Sequence, residues 1–178
     1  EAIDWINALG DVNLHWVEEP TNPDDAVGHA AIAKGIAPVK VATGEACANR
    51  VMFKQFLQLK GLSYMQIDSA RVGGVNENVA NVLLAAKFGI PVCPHAGGVG
   101  LCEMVQHFAM FDAVAVSGHH DDRIIEYMDH LHEHMAVPTD VRNGRYFPPS
   151  KPGAGAEMLK ASLADFTYPT GPQWKDFV

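Results

Sequence analysis

Ile90-Pro91-Val92-Cys93-Pro94-His95-Ala96-Gly97-Gly98-Val99-Gly100 is a short apolar run that delivers one histidine and then breaks into glycines. It reads as a strand, then a candidate functional side chain, then a loop. Pro94 cannot donate to a sheet ladder and stops the strand near His95, and Gly97, Gly98 and Gly100 let the backbone turn and approach a bound molecule before a helix begins at Leu101. His95 is therefore expected at the C-terminal end of a strand. A solitary histidine is more often a satisfied core or loop residue than a catalyst, so the weight falls on what stands around it.

Working outward, the same unit recurs. Glu1 to Leu9 reads as the tail of an amphipathic helix, with Ile3, Ile6 and Leu9 at helical spacing. Leu14-His15-Trp16-Val17 is a short apolar strand ending in Glu18-Glu19-Pro20, after which Asn22-Pro23 supplies an N-cap and first-turn proline for a helix through Lys34, closed by Gly35. Val39 to Ala42 is the next strand, ending in Thr43-Gly44-Glu45, and Asn49 caps a helix with Met52, Phe53, Phe56 and Leu57 on one face and Gly61 at its end. Leu62 to Ile67 forms a third strand ending in Asp68. Gly73-Gly74 then turns into a helix with Val75, Val79, Val82, Leu83 and Ala86 on one stripe, and Gly89 ends it. Beyond His95, Leu101 to Phe111 is helical and Ala113-Val114-Ala115-Val116 reads as a fifth strand.

Strand and helix alternate about every 25 residues, the signature of βα units around a parallel sheet, so the fold class is α/β. Glu18, Glu45, Asp68 and His95 each stand where an apolar run stops and a loop begins. In parallel α/β folds that edge carries the sites, most completely in the (β/α)8 barrel, and five strands make just over half of one. A doubly wound open sheet is the alternative, but no GxGxxG opens a helix after a strand, so a dinucleotide site has no support.

Composition narrows the partner. The chain has 178 residues, enough for one sizeable core, with 48% hydrophobic and 19% charged residues. No apolar run approaches the ~20 residues of a membrane span. A net charge of -8 and a pI near 5.5 disfavour nucleic acid and anionic membrane, which need a basic stripe, and leave a small-molecule ligand as the expectation. Cys47, Cys93 and Cys102 are an odd number without CxxC spacing, which points to an intracellular, reducing setting. The start at Glu1, already inside a helix and without methionine, reads as a cut from something longer, and a signal peptide upstream is not excluded.

Two carboxylates from successive strand ends, Glu18 and Glu45, face one cavity, and with a third from the preceding strand they would form a hard oxygen site suited to Mg2+ rather than zinc. Any single carboxylate at such a position is equally a helix cap or an ion-pair partner; recurrence favours the site. Asp68 and His95 form a carboxylate–imidazole pair in which the carboxylate orients the ring, fixes its tautomer and favours its protonated form. Such a group is a general acid able to protonate a leaving hydroxyl.

Trp16-Val17-Glu18-Glu19-Pro20, Ala42-Thr43-Gly44-Glu45, Ile67-Asp68-Ser69-Ala70-Arg71-Val72-Gly73-Gly74 and Pro94-His95-Ala96-Gly97-Gly98-Val99-Gly100 resemble the enolase superfamily in its mandelate racemase-like branch. Gly100 to His107, Arg123-Ile124-Ile125-Glu126 and His130-Leu131-His132-Glu133-His134 are most similar to the L-fuconate dehydratases of that branch. The resemblance runs to about Pro148, with intervals of 27, 23 and 27 positions from one strand-end group to the next. It implies a (β/α)8 barrel capped by an α+β domain, here an incomplete barrel of about strands 4 to 8. Residues 1–136 would be the barrel portion and 137–178 a segment returning to the capping domain.

The resemblance also implies roles. Glu18 and Glu45 match the second and third Mg2+ ligands, Asp68 and His95 the catalytic dyad, and Glu126 a carboxyl group near the substrate's carboxylate end. The first ligand, an Asp, and the catalytic Lys belong to earlier strands outside this chain, so the isolated piece is expected to be inactive. In the full protein, a homo-oligomer by the same resemblance and cytoplasmic or mitochondrial, the Lys would remove the C2 proton of an acid sugar. Mg2+ would stabilise the ene-diolate, and His95 would protonate the departing C3 hydroxyl, taking L-fuconate to 2-keto-3-deoxy-L-fuconate. Dehydration or racemisation of another sugar acid, and a non-catalytic truncated product with a binding or structural role, stay open.

Other residues carry less. His119-His120-Asp121-Asp122 and His130 to His134 read as a polar loop and helix rather than a metal site, because i, i+2, i+4 spacing aligns three histidines only partly on one helix face. His29 reads as a packing or capping histidine. Arg71 reaches either a substrate carboxylate or a neighbouring acid. Neither Cys47 nor Cys93 has an evident base, which speaks against thiol catalysis. The proline- and glycine-rich stretch from 137 onward is expected to carry a short helix from Ala156 to Leu163, and Arg145-Tyr146-Phe147 a strand pairing with capping-domain residues.

Overall fold

The computed structural model describes residues 1–177; Val178, the last residue of the expected return segment, lies outside the described residues. A helix α1 (Ala2–Ala8) leads into strand β1 (Trp16–Glu18), helix α2 (Ala26–Gly35), strand β2 (Lys40–Thr43), helix α3 (Arg50–Leu59), strand β3 (Tyr64–Met65) and helix α4 (Val75–Phe88). The three strands form a parallel sheet in chain order, with Trp16 opposite Lys40, Glu18 opposite Ala42 and Ala42 opposite Tyr64. The segment before His95 extends the sheet by single parallel bridges, Met65 to Val92 and Asp68 to His95. Pro91 and Pro94 lack the N–H groups a regular ladder needs, so pairing is carried by Met65 N–H to Pro91 O, Cys93 N–H to Met65 O and His95 N–H to Ile67 O.

Alternation along these short strands sorts the side chains. Met65, Ile67 and Val92 pack outward against Phe53, Phe56 and Leu57 of α3 and Val82 and Ala85 of α4. Phe53 and Phe56 are fully buried, and each such ring contributes roughly 1.5–3 kcal/mol by leaving water. Trp16, Ala42, Tyr64 and Cys93 cluster on the inner face, the face that also carries Asp68 and His95. The helices thus press the sheet from one side and leave its other side to the site.

The caps depart from expectation in two places. Asp25, not Asn22, caps α2, accepting from Gly28 N–H at 2.7 Å, while Asn22 closes a preceding turn by accepting from Asp24 N–H. Asn49 does cap α3, accepting from Val51 and Met52 N–H, but its last turn closes on left-handed Lys60, one residue before Gly61.

After α5 (Leu101–Phe111) the expected fifth strand is absent. Asp112–Val116 instead continues as a wider, π-helical turn. Ser117 closes it with both its N–H and its hydroxyl on the Asp112 carbonyl, and Arg123 pairs with the Asp112 carboxylate at 3.0 Å. Val114 is 79% exposed beside buried Ala113, a burial pattern that no sheet partner dictates.

The tail also corrects its reading. Arg145–Phe147 is a strand, β5, but it pairs antiparallel with β4 (Asp140–Arg142) of the same chain. The two-residue link Asn143-Gly144 has positive φ at both positions, 52° and 69°, the backbone of a tight hairpin turn. The final helix, α6, spans Lys160–Phe166, later than expected, and 130–134 forms a short 3-10 turn at His132–His134 rather than a helix. Among the described residues, no helix is long and apolar enough to cross a membrane.

Candidate active site

Asp68 follows β3 and is held from both sides. Its Oδ1 accepts from the N–H groups of Ala70 and Arg71 at 2.8 and 2.9 Å, a local turn that leaves Oδ2 facing His95. His95 Nδ1 lies 2.9 Å from Asp68 Oδ2, and its backbone is bridged to the same strand. An ionised carboxylate only accepts, so Nδ1 carries the hydrogen and the tautomer is fixed.

The other ring nitrogen meets two more carboxylates. Nε2 is 3.2 Å from Glu45 Oε2 and 3.7 Å from Glu126 Oε2. Glu45 arrives there because the chain turns hard at Gly44, whose φ is +135° and where a Cβ would stand 2.6 Å from the Gln66 carbonyl oxygen. Glu126 is fixed by its own carboxylate, which accepts from Ala96 N–H at 2.6 Å, and by its N–H, which donates to Pro94 O at 3.3 Å. Gly97 completes the fit: a Cβ there would lie 2.6 Å from His95 Nε2.

The sequence-predicted residues therefore fall into two groups. Asp68, His95, Glu45 and Glu126 converge on one imidazole. Glu18 and Arg71 do not join them: both are exposed, and neither side chain makes a hydrogen bond or ion pair among the described residues. Glu18 nevertheless belongs to the same electrostatic neighbourhood. Beside it Glu19, a residue the sequence did not single out, takes a left-handed φ of 42° and has a buried Oε1 without a partner. Burial pushes the Glu19 carboxyl up, and the charges of Glu45 and Glu18 push it further.

Among the described residues no three side chains are arranged to hold a metal ion. The two expected ligands are oxygen donors at adjacent strand ends, Glu45 partly open to solvent and Glu18 exposed. Both add negative charge around Glu19, and Glu18 has no basic partner among the described residues while Glu45 faces the His95 ring. That donor chemistry fits a hard divalent cation and does not fit zinc.

Several other groups resolve into packing roles. His29 is fully buried, its Nδ1 2.9 Å from Asp25 O and its ring edge-on to Phe56. Burial pushes the Cys47 and Cys93 thiols up to about 12, so neither is a thiolate nucleophile near neutral pH. His132 proves to be bonded to buried Glu103, a pairing that polar composition alone did not reveal.

Comparison with known proteins shows the family. The family described as "Enolase C-terminal domain-like" matches residues 1–162. L-Galactonate dehydratase of Hypocrea jecorina is 44% identical over 178 residues, covering 98% of this chain and 39% of that protein. The crystal structure of human mitochondrial enolase superfamily member 1 superposes with a TM-score of 0.96 at 50% identity, covering 99% of this chain and 41% of that one. L-Talarate dehydratase from Polaromonas sp. JS666, complexed with Mg and L-glucarate, gives a TM-score of 0.74 at 25% identity over 90% of this chain and 40% of that one. The chain spans about two fifths of the length of the curated relatives it matches. With the family pattern running through the strand ends that carry Asp68 and His95, this chain belongs to the enolase superfamily, as an α/β polypeptide of the enolase C-terminal type.

Proposed function

We propose that this chain carries the acid half of the active site of a sugar-acid dehydratase, a hydro-lyase, with His95 as general acid and Asp68 as the group that orients it. The observation behind the reading is the imidazole itself. Asp68 holds Nδ1 at 2.9 Å while Nε2 is turned toward Glu45 and Glu126 at 3.2 and 3.7 Å. Two carboxylates beside Nε2 are satisfied when that nitrogen bears a proton, and a proton held there can be passed to a leaving hydroxyl.

In this reading the α-proton of the sugar acid is removed by a base from the portion of the protein outside these 178 residues. Glu45 and Glu18 would hold Mg2+, which when bound supplies electrostatic stabilisation to the ene-diolate formed at the substrate carboxylate. His95 delivers its proton to the C3 hydroxyl as water leaves, and the enol tautomerises to a 2-keto-3-deoxy acid. Glu126, when an anionic substrate beside it favours its protonated form, donates a hydrogen bond to the intermediate at the carboxylate end. Arg71, exposed just beyond Asp68, is free to meet an anionic substrate. Residues 1–136 form a portion of a (β/α)8 barrel and 137–178 the returning segment, and the working protein is a homo-oligomer. The human relative's name favours the mitochondrion among the intracellular compartments expected.

The substrate in this reading is a six-carbon aldonate of the L-galacto series, which the 44% identity to an L-galactonate dehydratase supports. L-Fuconate is the 6-deoxy form of L-galactonate, so a site that acts at C2 and C3 meets the same centres in both. The test is a 2-keto acid assay on the full-length protein with Mg2+ and a panel including L-fuconate, L-galactonate and galactarate, with His95→Asn alongside. Turnover of L-fuconate or L-galactonate that His95→Asn abolishes supports the reading. Silence across the panel, or an active His95→Asn, refutes it.

A further inference from the structure

Glu103 lies in the first turn of α5 and is 1% exposed. Its Oε1 accepts from His132 Nδ1 at 2.7 Å and from Thr139 N–H at 3.1 Å. The other ring nitrogen, Nε2, is 2.7 Å from the Met128 carbonyl oxygen. Carboxylate and carbonyl both only accept, so both ring nitrogens donate and the ring is an imidazolium. A carboxylate in the first turn of a helix is further favoured by the helix dipole.

The ring touches the Glu126 segment twice. It bonds the carbonyl two residues beyond Glu126, and it lies flat on Tyr127, with centroids 5.4 Å apart and planes 7° from parallel. Tyr127 meets Tyr146 of β5 edge-on at 6.0 Å, and the Tyr146 hydroxyl donates to the Glu126 carbonyl oxygen. Met128 and Tyr146 pack on the cluster formed by Ala96, Leu101, Cys102 and Val105. Ala96 is the residue whose N–H the Glu126 carboxylate accepts.

We propose that His132 and Glu103 are positioning residues for Glu126: together they staple the 126–139 segment to the start of α5 and hold the Glu126 carboxyl beside His95. The role of Glu126 at the substrate rests on the function proposed above; the staple and its effect on the Ala96–Glu126 contact do not. The charged and titratable groups around His132 are Glu103 from α5, Asp129 and Tyr127 from its own segment, and, around Tyr127, Tyr146 from β5 and Cys102 from α5. Burial works against the charge on His132, but the bonds to Glu103 and the Met128 carbonyl outweigh it and hold its pKa above the ordinary histidine value of 6.5. The staple is therefore closed below that elevated pKa and loosens as pH rises through it.

The test uses the full-length protein labelled with 15N at histidine and alanine, without substrate. His132 is expected to show two protonated ring nitrogens at pH 6.5, to titrate above the ordinary value, and to titrate lower in Glu103→Gln. The Ala96 amide resonance is expected to inflect at the His132 pKa in the wild type, to follow it downward in Glu103→Gln, and to lose that inflection in His132→Gln. A His132 ring with one bare nitrogen at pH 6.5, or an Ala96 amide that ignores the His132 titration, overturns the staple, and the wild-type titration decides this even where a variant fails to fold. With a sugar acid that turns over, His132→Gln is expected to lower kcat about tenfold with KM little changed, the size of coupling usual within one side-chain network. The alkaline limb of kcat moves to lower pH in Glu103→Gln; an unmoved limb and an unchanged kcat in His132→Gln count against the positioning role. Absence of any turnover refutes the proposed function while the resonance titrations still decide the staple.

Discussion

Gly97→Ala places a single methyl group where the site has no room for one. A Cβ at 97 would stand 2.6 Å from His95 Nε2 and 3.1 Å from its Cε1, where ordinary contact begins at 3.4 Å, so the ring must retreat by about 0.8 Å. His95 cannot retreat that far and keep both its 2.9 Å bond to Asp68 and its 3.2 Å approach to Glu45. A displacement near 1 Å of a reacting group costs on the order of a hundredfold in rate. The fold is expected to be nearly indifferent, because the methyl meets a side chain at the cavity wall rather than the packed core. The assay pairs steady-state dehydration by the full-length protein with urea unfolding and with the His95 ring resonances. Gly98→Ala is the control, since its Cβ would meet only the end of the Leu101 side chain, at 3.0 Å. Undisturbed His95 resonances in Gly97→Ala would refute the steric argument, and resonances that move while kcat does not would refute the importance of the ring's placement.

Asn49→Ala removes the acceptor for two amides at the start of α3 and is expected to cost about 1 kcal/mol in urea unfolding. Phe53→Ala empties a fully buried site between sheet and helices and is expected to cost roughly 3–5 kcal/mol, read the same way. Cys47 and Cys93, with thiols raised to about 12 by burial, are expected to resist iodoacetamide at pH 8 in the native protein and to react once it is unfolded; rapid native labelling contradicts their placement. For Glu103, burial raises the pKa, but bonds from His132 and the Thr139 amide bring it below its ordinary 4.5, while His132 sits above its ordinary 6.5. The Glu103 contribution is then complete above about pH 4.5 and lost as pH falls through its lowered pKa; that of His132 is complete below about pH 6.5 and lost as pH rises through its raised pKa. The destabilisation caused by Glu103→Gln should accordingly peak between those values and shrink on both sides; a flat profile would mean that the pair is not charged.

The parts of this chain that could be read from its sequence are those where local pattern and long-range packing agree. The period of strand and helix, the Asn49 cap and the arrival of Asp68 and His95 at neighbouring strand ends all follow from residues a few positions apart. Ala113 to Val116 misleads because alternating alanine and valine suit a strand only when a neighbouring strand receives them; here α5 simply runs on, and Ser117 and Arg123 fasten its last turn to Asp112. The hairpin of β4 and β5 was available in Asn143-Gly144, a turn pair between two runs that each carry an inward apolar residue. The partnership of His132 with Glu103 was not: it spans 29 residues, and a histidine among polar neighbours looks the same whether it faces solvent or a buried carboxylate. Glu19 was hidden differently, since its left-handed backbone and orphaned oxygen come from the turn at the edge of the sheet.

The main-chain bond from His95 N–H to Ile67 O has a consequence for what this scaffold could become. The distance between positions 68 and 95 is set by the spacing of paired strands, about 4.8 Å, and not by the side chains they happen to carry. Any two residues installed there are presented side by side on the same wall of the cavity. An acid–base pair, two carboxylates or a lysine with a carboxylate would each inherit that juxtaposition without rebuilding the sheet. The backbone thus works as a socket into which different chemistries can be exchanged, and selection for a new reaction has only the inserted side chains to search.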